Sequence, residues 1–228
     1  MYCFERFLKM RNLSNCFVQL IQCMGDDLSV VNAARVSMNK RSYSFETKDR
    51  KLISFLIRNM HTSPFRHQYL TFHIRAPIFV LRQWMKHQIG CSWNEKSLRY
   101  VKHDGDMWYP NLWRQIPEKS IKQGSGGPLD HQEEATALYK EALDFSQNTY
   151  ERLLELGVCR EQARAVLPLS MITECWWTVS LQAALHFLFL RKEATAQNEI
   201  QMFATEIEKH IEEKFPVCLD AWRQFHEG

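Results

Sequence analysis

Hydrophobic and polar side chains alternate over residues 70–75, where Leu70, Phe72 and Ile74 are each followed by a polar residue. A period of two is typical of a β-strand with one buried face. The sequence therefore predicts a strand here that ends at Ala76.

Most other segments repeat their apolar residues at spacings of three and four, which is typical of helices. In residues 78–87 the polar side chains Arg82, Lys86 and His87 gather towards the end of the predicted helix, which begins after Pro77. The predicted helices cover residues 28–36, 48–60, 78–87, 131–156, 160–166, 181–190 and 196–214, with a last one near Trp222, and further strands cover residues 17–24 and 173–180.

Thr47 and Asp130 are the predicted N-caps of two of these helices, because each has a side-chain oxygen that can accept from a free backbone N–H. In the helix that follows Asp130, we expect Leu138, Ala142 and Phe145 to form the inner face.

Two segments lack a regular period. Residues 88–100 are polar and predict a loop that surrounds a polar ligand. Residues 103–130 contain a G-S-G-G-P run at 124–128 and predict an irregular excursion.

The composition is that of a soluble globular protein: 45% of the 228 residues are hydrophobic and 24% are charged, and residues 1–228 are most simply one domain. A net charge of +3 argues against a protein dominated by nucleic-acid contacts. Charged residues interrupt the apolar N-terminal segment, and no later apolar run is long enough to cross a bilayer. We therefore expect no signal peptide and no membrane contact.

The seven cysteines are an odd number and include no C-x-x-C pair, which predicts reduced thiols and a cytoplasmic location. The histidines include no H-E-x-x-H, and none is spaced with cysteine as in zinc sites, so no metal site is predicted.

The most informative motif begins at Ala76, with A-P-I-F-V-L-R-Q-W followed by K-H-Q and then by N-E-K-S-L-R-Y. This pattern resembles the signature of the flavin-dependent thymidylate synthases, in which R-H-R and seven further residues precede a serine. Here Lys86-His87-Gln88 and eight residues precede Ser97, so one residue is added within 89–92.

Segments 27–37, 61–67, 161–168 and 187–191 resemble further family segments in the same order, so the resemblance covers nearly the whole chain. It implies an α+β fold with a central, mostly antiparallel sheet flanked by helices.

The resemblance also implies a set of substrate-binding residues. Arg99 and Arg164 would clamp the phosphate, because a guanidinium can give two parallel hydrogen bonds while staying charged. Arg191 would be catalytic, lying against the uracil ring and favouring ionisation at N3. The full implied substrate set is Gln83, Lys86, Glu95, Ser97, Arg99, Arg164 and Arg191.

The implied cofactor set departs from the family pattern. Lys86 and Gln88 stand where arginines are usual, Ser180 and Gln182 stand in place of N-x-R, and His186 replaces a common asparagine. Each lost guanidinium removes a charged donor, which predicts looser FAD binding. The full implied cofactor set is Ser37, Ser63, Lys86, His87, Gln88, Glu95, Ser180, Gln182 and His186.

The family reaction converts dUMP to dTMP with methylenetetrahydrofolate and NADPH through FAD, in a homotetramer whose sites lie between subunits. These are expectations for this chain. Two alternatives stay open: methylation or hydroxymethylation of another pyrimidine nucleotide, and a non-catalytic nucleotide-binding protein that keeps the fold.

Overall fold

The computed structural model describes residues 15–117 and 124–226, which form two compact units. The first unit comprises residues 75–84 and 95–175 with the described residues up to 17; the second comprises residues 18–74, 85–94 and 176–226. One domain can contain two such units, so the single-domain prediction for residues 1–228 stays a prediction.

Four strands form one sheet in the order β1-β2-β4-β3. They are β1 (Phe17–Met24), β2 (Tyr69–Pro77), β3 (Cys91–Glu95) and β4 (Ile172–Ser180). Between β2 and β4, Thr71 hydrogen-bonds Thr178 and Arg75 pairs with Glu174, so residue numbers rise on one strand as they fall on the other. The sheet is antiparallel, which confirms the predicted fold class.

Strand β2 shows the predicted alternation, because Leu70, Phe72 and Ile74 are all fully buried. The strand is longer than predicted. It begins at Tyr69, Ala76 is also fully buried, and the strand ends one residue after the predicted end, at Pro77, which is not part of the next helix.

Strand β3 corrects the prediction of a loop over residues 88–100. It is an edge strand that pairs with β4 alone, and its ends are fixed by two 2.8 Å hydrogen bonds, one from Ser180 N to the Gly90 carbonyl and one from Lys96 N to the Glu174 carbonyl. An edge strand with little buried surface has no strong hydrophobic alternation, so its sequence resembles a loop.

Eight α-helices are described: α1 (Asp27–Arg35), α2 (Thr47–Arg58), α3 (Ile78–Trp84), α4 (Gln132–Glu155), α5 (Arg160–Ala163), α6 (Leu181–Arg191), α7 (Asn198–Lys214) and α8 (Pro216–His226). The N-cap of α2 is Glu46 rather than Thr47, with Glu46 N donating to Asp49 Oδ2 over 2.8 Å. Helix α3 ends at Trp84, three residues earlier than predicted. Helix α7 begins two residues later than predicted.

In the second unit a buried carboxylate holds the start of α8. Asp27 accepts from Val217 N and Cys218 N, each over 2.9 Å. These N–H groups belong to the first turn of a helix and have no partner within it, and a negative charge is favourable there.

The hydrophobic core beside the sheet is aromatic, with Trp177 lying 5.9 Å from Phe72 and 5.4 Å from Phe187 between ring centroids.

In the first unit, helix α4 is turned differently from the prediction. Its buried side chains are Leu143 and Tyr150, whereas Leu138 and Phe145 are 62% and 74% exposed. The predicted inner face is therefore an outer face. The residue at the N-cap is His131, so Asp130 is not the cap.

The described part of 103–130 contains no helix or strand, only isolated bridges between Met107 and Met171 and between Arg114 and Pro128. It is tied to α4 by the side-chain amide of Gln132, which accepts from Trp113 N and donates to the Trp113 carbonyl, each over 2.8 Å.

Candidate active site

Five residues of the implied substrate set lie in the first unit: Gln83 in α3, Glu95 at the end of β3, Ser97 and Arg99 in the next turn, and Arg164 after α5. The backbone fixes this turn. Tyr100 N donates to the Ser97 carbonyl over 3.0 Å, and Arg99 N donates to the Ser97 hydroxyl over 3.3 Å. These two hydrogen bonds fix the backbone of the turn, and with it the positions from which the side chains of Ser97 and Arg99 extend.

Arg99 is paired with a carboxylate. Its Nε lies 2.9 Å from Glu161 Oε2, and both side chains are more than half exposed. The neighbouring Arg160 donates from Nη1 to the Tyr100 carbonyl over 3.0 Å. These two contacts link the turn that carries Arg99 to α5, the helix that leads into Arg164.

Glu95 and Arg164 interact electrostatically within the first unit. Burial raises the pKa of the Glu95 carboxyl, while a hydrogen bond from Thr173 and the charge of Arg164 oppose that rise. A partly buried carboxyl beside a guanidinium can accept a hydroxyl or amide hydrogen from a polar ligand while the guanidinium binds an anion.

The second unit holds Arg191, the last residue of α6. Its Nε donates to Nε2 of His87 over 2.9 Å. Burial lowers the pKa of Arg191. Burial, then the charge of Arg191 and then His186, lower the pKa of His87 to about 4. The imidazole is therefore a neutral acceptor at neutral pH. Lys86 and Gln88, on either side of it, are exposed.

Residues 89–92, where the resemblance places the added residue of the motif, lie where the chain passes α6. Gly90 has φ +73°, and a side chain there would place its Cβ 2.8 Å from Ser180 Oγ. Ser180 is the buried N-cap of α6 and accepts from Ala183 N over 3.3 Å. The hydroxyl of Ser180 is thus used in the helix cap, directly against the altered loop.

A cavity of about 400 Å³ lies within the second unit, between α2, α6, α8 and the turn after α2. Gln182 and His186 from the implied cofactor set line it, together with His61 and His226. Apart from Thr62, its remaining walls are apolar or aromatic and include Phe65, Leu185, Phe189, Trp222 and Phe225. Such a cavity accepts a flat ring and offers a few hydrogen-bonding groups at its edge.

Two of the implied cofactor residues, Ser37 and Ser63, are not among the residues that line this cavity. Ser37 and Ser63 are exposed residues of separate short 3₁₀ turns, Val36–Met38 and Ser63–Arg66. The residue before Ser63, Thr62, lines the cavity.

Sequence reasoning missed two histidines of the cavity. His61 lies within the family-like segment 61–67, which was a usable signal. His226 packs against Phe189, Trp222 and Phe225 at 4.8–5.1 Å between ring centroids. Nothing in the sequence near His226 marks it as a cavity residue.

Over residues 15–117 and 124–226, no group of three or more His, Cys, Asp or Glu side chains could hold a metal ion. None of the helices in these ranges is long and apolar enough to cross a membrane. The six described cysteines are free thiols, and Cys3 lies outside the described residues.

Residues 19–217 match the family model described as thymidylate synthase complementing protein. The chain belongs to this family. A flavin-dependent thymidylate synthase from Kosmotoga olearia is 41% identical over 96% of this chain and 94% of the relative. The resemblance carried by the motifs is thereby confirmed.

Two solved structures are similar to this chain. The UMP/dUMP methylase PolB from Streptomyces cacaoi, bound with 5-Br dUMP, is similar with a TM-score of 0.85 and 35% identity, over 93% of this chain and 97% of that chain. A structure of PolB bound with 5-Br UMP is similar with a TM-score of 0.83 and 33% identity, over 93% and 96%.

Proposed function

We propose that this chain is a flavin-dependent thymidylate synthase that methylates dUMP at C5 of the uracil ring. The observation that carries the proposal is the retained set of polar groups in the first unit: Arg99 and Ser97 in one turn, linked to the helix that leads to Arg164, with Arg164 acting on Glu95.

In the proposed complex, Arg99 and Arg164 bind the phosphate of dUMP. Both are guanidinium groups, whose fork matches phosphate oxygens and whose charge persists at any working pH. Arg99 exchanges Glu161 for the phosphate. An ion pair between two largely exposed groups is weak, so this exchange costs little.

Ser97, Glu95 and Gln83 complete the proposed nucleotide site. The Ser97 hydroxyl accepts from Arg99 N and keeps its own hydrogen free to donate to a phosphate oxygen. The Glu95 carboxyl, with its raised pKa, accepts from or donates to the sugar and base. Among the described residues, the hydrogen-bond partner of the Ser97 hydroxyl is Arg99 N rather than a base, and Ser97 is not proposed as a nucleophile.

Arg191 is the proposed catalytic residue. Its charge favours ionisation of the uracil ring at N3 and stabilises the resulting anionic ring, whose C5 then attacks the one-carbon unit. Lys86 supports both the nucleotide and the cofactor as a second cation.

The second unit fits FAD as the cofactor. The cavity of about 400 Å³ has aromatic walls and presents Gln182 and His186, which suit a flat heteroaromatic ring. We assign the remaining contacts within this unit to Ser37, Ser63, Lys86, His87, Gln88 and Ser180. When bound, FAD supplies the hydride-transfer chemistry that the side chains lack.

Two co-substrates complete the proposal. Methylenetetrahydrofolate is the source of the one-carbon unit, and NADPH is the reductant. The chain positions the reacting rings and excludes water, and these are the contributions that a protein makes to a cofactor reaction.

UMP is a second candidate substrate. PolB, named a UMP/dUMP methylase, is 33–35% identical to this chain and was crystallised with analogues of both nucleotides. Residues 89–92 differ from the usual family pattern. A local difference of this kind can change the preference between UMP and dUMP.

We also propose a homotetramer located in the cytoplasm, with active sites completed between subunits. The outer face of α4 supports self-association, because Leu138, Ala142 and Phe145 form an exposed apolar stripe. The free thiols support a reducing compartment.

The test is turnover by the purified chain with FAD, methylenetetrahydrofolate and NADPH, supplied with dUMP or UMP in parallel. We expect dTMP from dUMP at a higher kcat/KM than methylated product from UMP. Faster methylation of UMP would favour the second candidate. Nucleotide binding with no product from either would indicate a non-catalytic protein.

A further inference from the structure

We propose that His87 is a positioning residue for Arg191: its imidazole fixes the plane of the guanidinium that acts on the pyrimidine ring. The inference rests on the proposed function for the identity of that ring. The pairing itself lies wholly in the second unit.

The geometry leaves the outer part of the guanidinium available. Arg191 Nε donates to His87 Nε2 over 2.9 Å, and no other polar partner of Arg191 occurs among the described residues. A guanidinium is planar, so one in-plane hydrogen bond at Nε limits the directions of the two terminal Nη groups. Those groups can then face a ligand in one orientation.

His87 is itself held firmly enough to serve as a reference. Its ring meets Phe187 edge-on, with centroids 5.1 Å apart and planes at 73°, and Phe187 is fully buried. Its backbone carbonyl accepts from the Cys91 thiol over 2.8 Å. Phe187 and Arg191 are four residues apart on α6, so one face of that helix carries both the surface that packs the imidazole and the guanidinium that it binds.

The hydrogen bond requires a neutral imidazole with its hydrogen on Nδ1. The groups that face His87 are Arg191 and His186 on α6 and Cys91 at the start of β3. Burial and both of the α6 groups lower the pKa of His87, to about 4, so the acceptor persists through the neutral range.

Two substitutions separate the acceptor from the ring. His87→Phe keeps an aromatic ring against Phe187 and removes the acceptor, whereas His87→Gln keeps an acceptor on a side chain of similar reach. If His87 positions Arg191, His87→Gln should retain the effect of Arg191 on the pyrimidine ring, and His87→Phe should lose it. His131→Phe is the matched control, since His131 is an exposed residue at the start of α4.

The first measurement needs no turnover. A bromine at C5 makes N3 of uracil more acidic, and ultraviolet absorbance reports the ionisation of 5-bromo-dUMP. On the wild-type protein and on His131→Phe, we expect bound 5-bromo-dUMP to ionise at lower pH than free nucleotide. His87→Phe should return the ionisation towards that of free nucleotide, and His87→Gln should keep most of the shift. An unchanged shift in His87→Phe overturns the inference.

The second measurement is kinetic. We expect His87→Phe to lower kcat on the order of 10- to 100-fold, the effect of one hydrogen bond to a charged group, with nearly unchanged affinity for dUMP. Added to Arg191→Lys, which lacks the Nε donor, it should have little further effect. Independent effects of the two substitutions, or a loss of dUMP affinity in place of kcat, would contradict positioning.

The two proposals fail differently. Absence of dTMP formation by the wild-type protein would refute the proposed function, while the titration of bound 5-bromo-dUMP would still test His87. Normal dTMP formation by His87→Phe would refute the inference and leave the function intact.

Discussion

Substitution of Gly90 by alanine tests the most unusual backbone feature of the altered motif. Gly90 has φ +73°, where an alanine costs about 1–2 kcal/mol. Its new Cβ would lie 2.8 Å from Ser180 Oγ and 3.3 Å from the Ala183 side chain, so the hydroxyl must move. Loss of that N-cap costs ~1 kcal/mol. We expect Gly90→Ala to lower the free energy of unfolding by about 2–3 kcal/mol in total.

The assay is equilibrium unfolding in denaturant, compared at constant m-value. Two other glycines provide controls. Gly157 also has positive φ, +87°, but a Cβ there meets nothing within 4 Å, so Gly157→Ala measures the backbone cost alone. A Cβ on Gly127 likewise meets nothing within 4 Å, so Gly127→Ala should be close to neutral.

A double substitution isolates the contact. Ser180→Ala removes the hydroxyl and the cap, so Gly90→Ala added to it should cost only the backbone term, and the two changes should be less than additive by ~1 kcal/mol. If Gly90→Ala costs no more than Gly157→Ala, the described approach of the loop to α6 is wrong.

Three further predictions concern binding and stability. Arg164→Ala should weaken dUMP binding by about 2–5 kcal/mol in calorimetry, because a desolvated charged contact to phosphate is lost, and unchanged affinity would remove Arg164 from the site. Gln88→Arg with Gln182→Arg should raise FAD affinity, measured by retention of visible absorbance after dialysis; stoichiometric FAD in the wild-type protein with no gain in the double variant would refute the reading of these residues as losses. Asp27→Asn should destabilise the protein by ~1–3 kcal/mol in thermal unfolding, since one oxygen that accepts from the start of α8 becomes an amide, and a change within error would show that this carboxylate is not needed there.

Strand β2 was predictable because its alternation corresponds to burial. Every second residue of β2 from Leu70 to Ile74 is fully buried, so the hydrophobic pattern directly records the inner face. Strand β3 was not predictable, since its regularity comes from hydrogen bonds with residues of β4 that lie 78 and 90 positions away in the sequence.

Helix α4 shows a second limit of pattern reading. Its sequence carries two apolar stripes, one through Leu143 and Tyr150 and another through Leu138 and Phe145. Periodicity indicates a helix but cannot say which stripe faces the core of the same chain. The structure buries the first and exposes the second.

For the candidate site, motifs located the arginines but not their partners. Arg191 was assigned from its match to the family, whereas its contact with His87 joins residues 104 positions apart and follows only from the packing of α6. The same holds for His226, which reaches the cavity through the position of α8. Residue type and motif indicate the chemistry, and the tertiary fold selects which groups meet.

The most direct test of the central claim is a single-turnover reaction with dUMP and methylenetetrahydrofolate labelled with ¹³C in its methylene group, analysed by mass spectrometry. We predict dTMP that carries the label and that forms only when both FAD and reductant are present. In Arg191→Lys, the yield of labelled dTMP should fall more than the affinity for dUMP does. Unlabelled dUMP recovered in full from the FAD-loaded wild-type protein, with dUMP binding intact, would contradict the account.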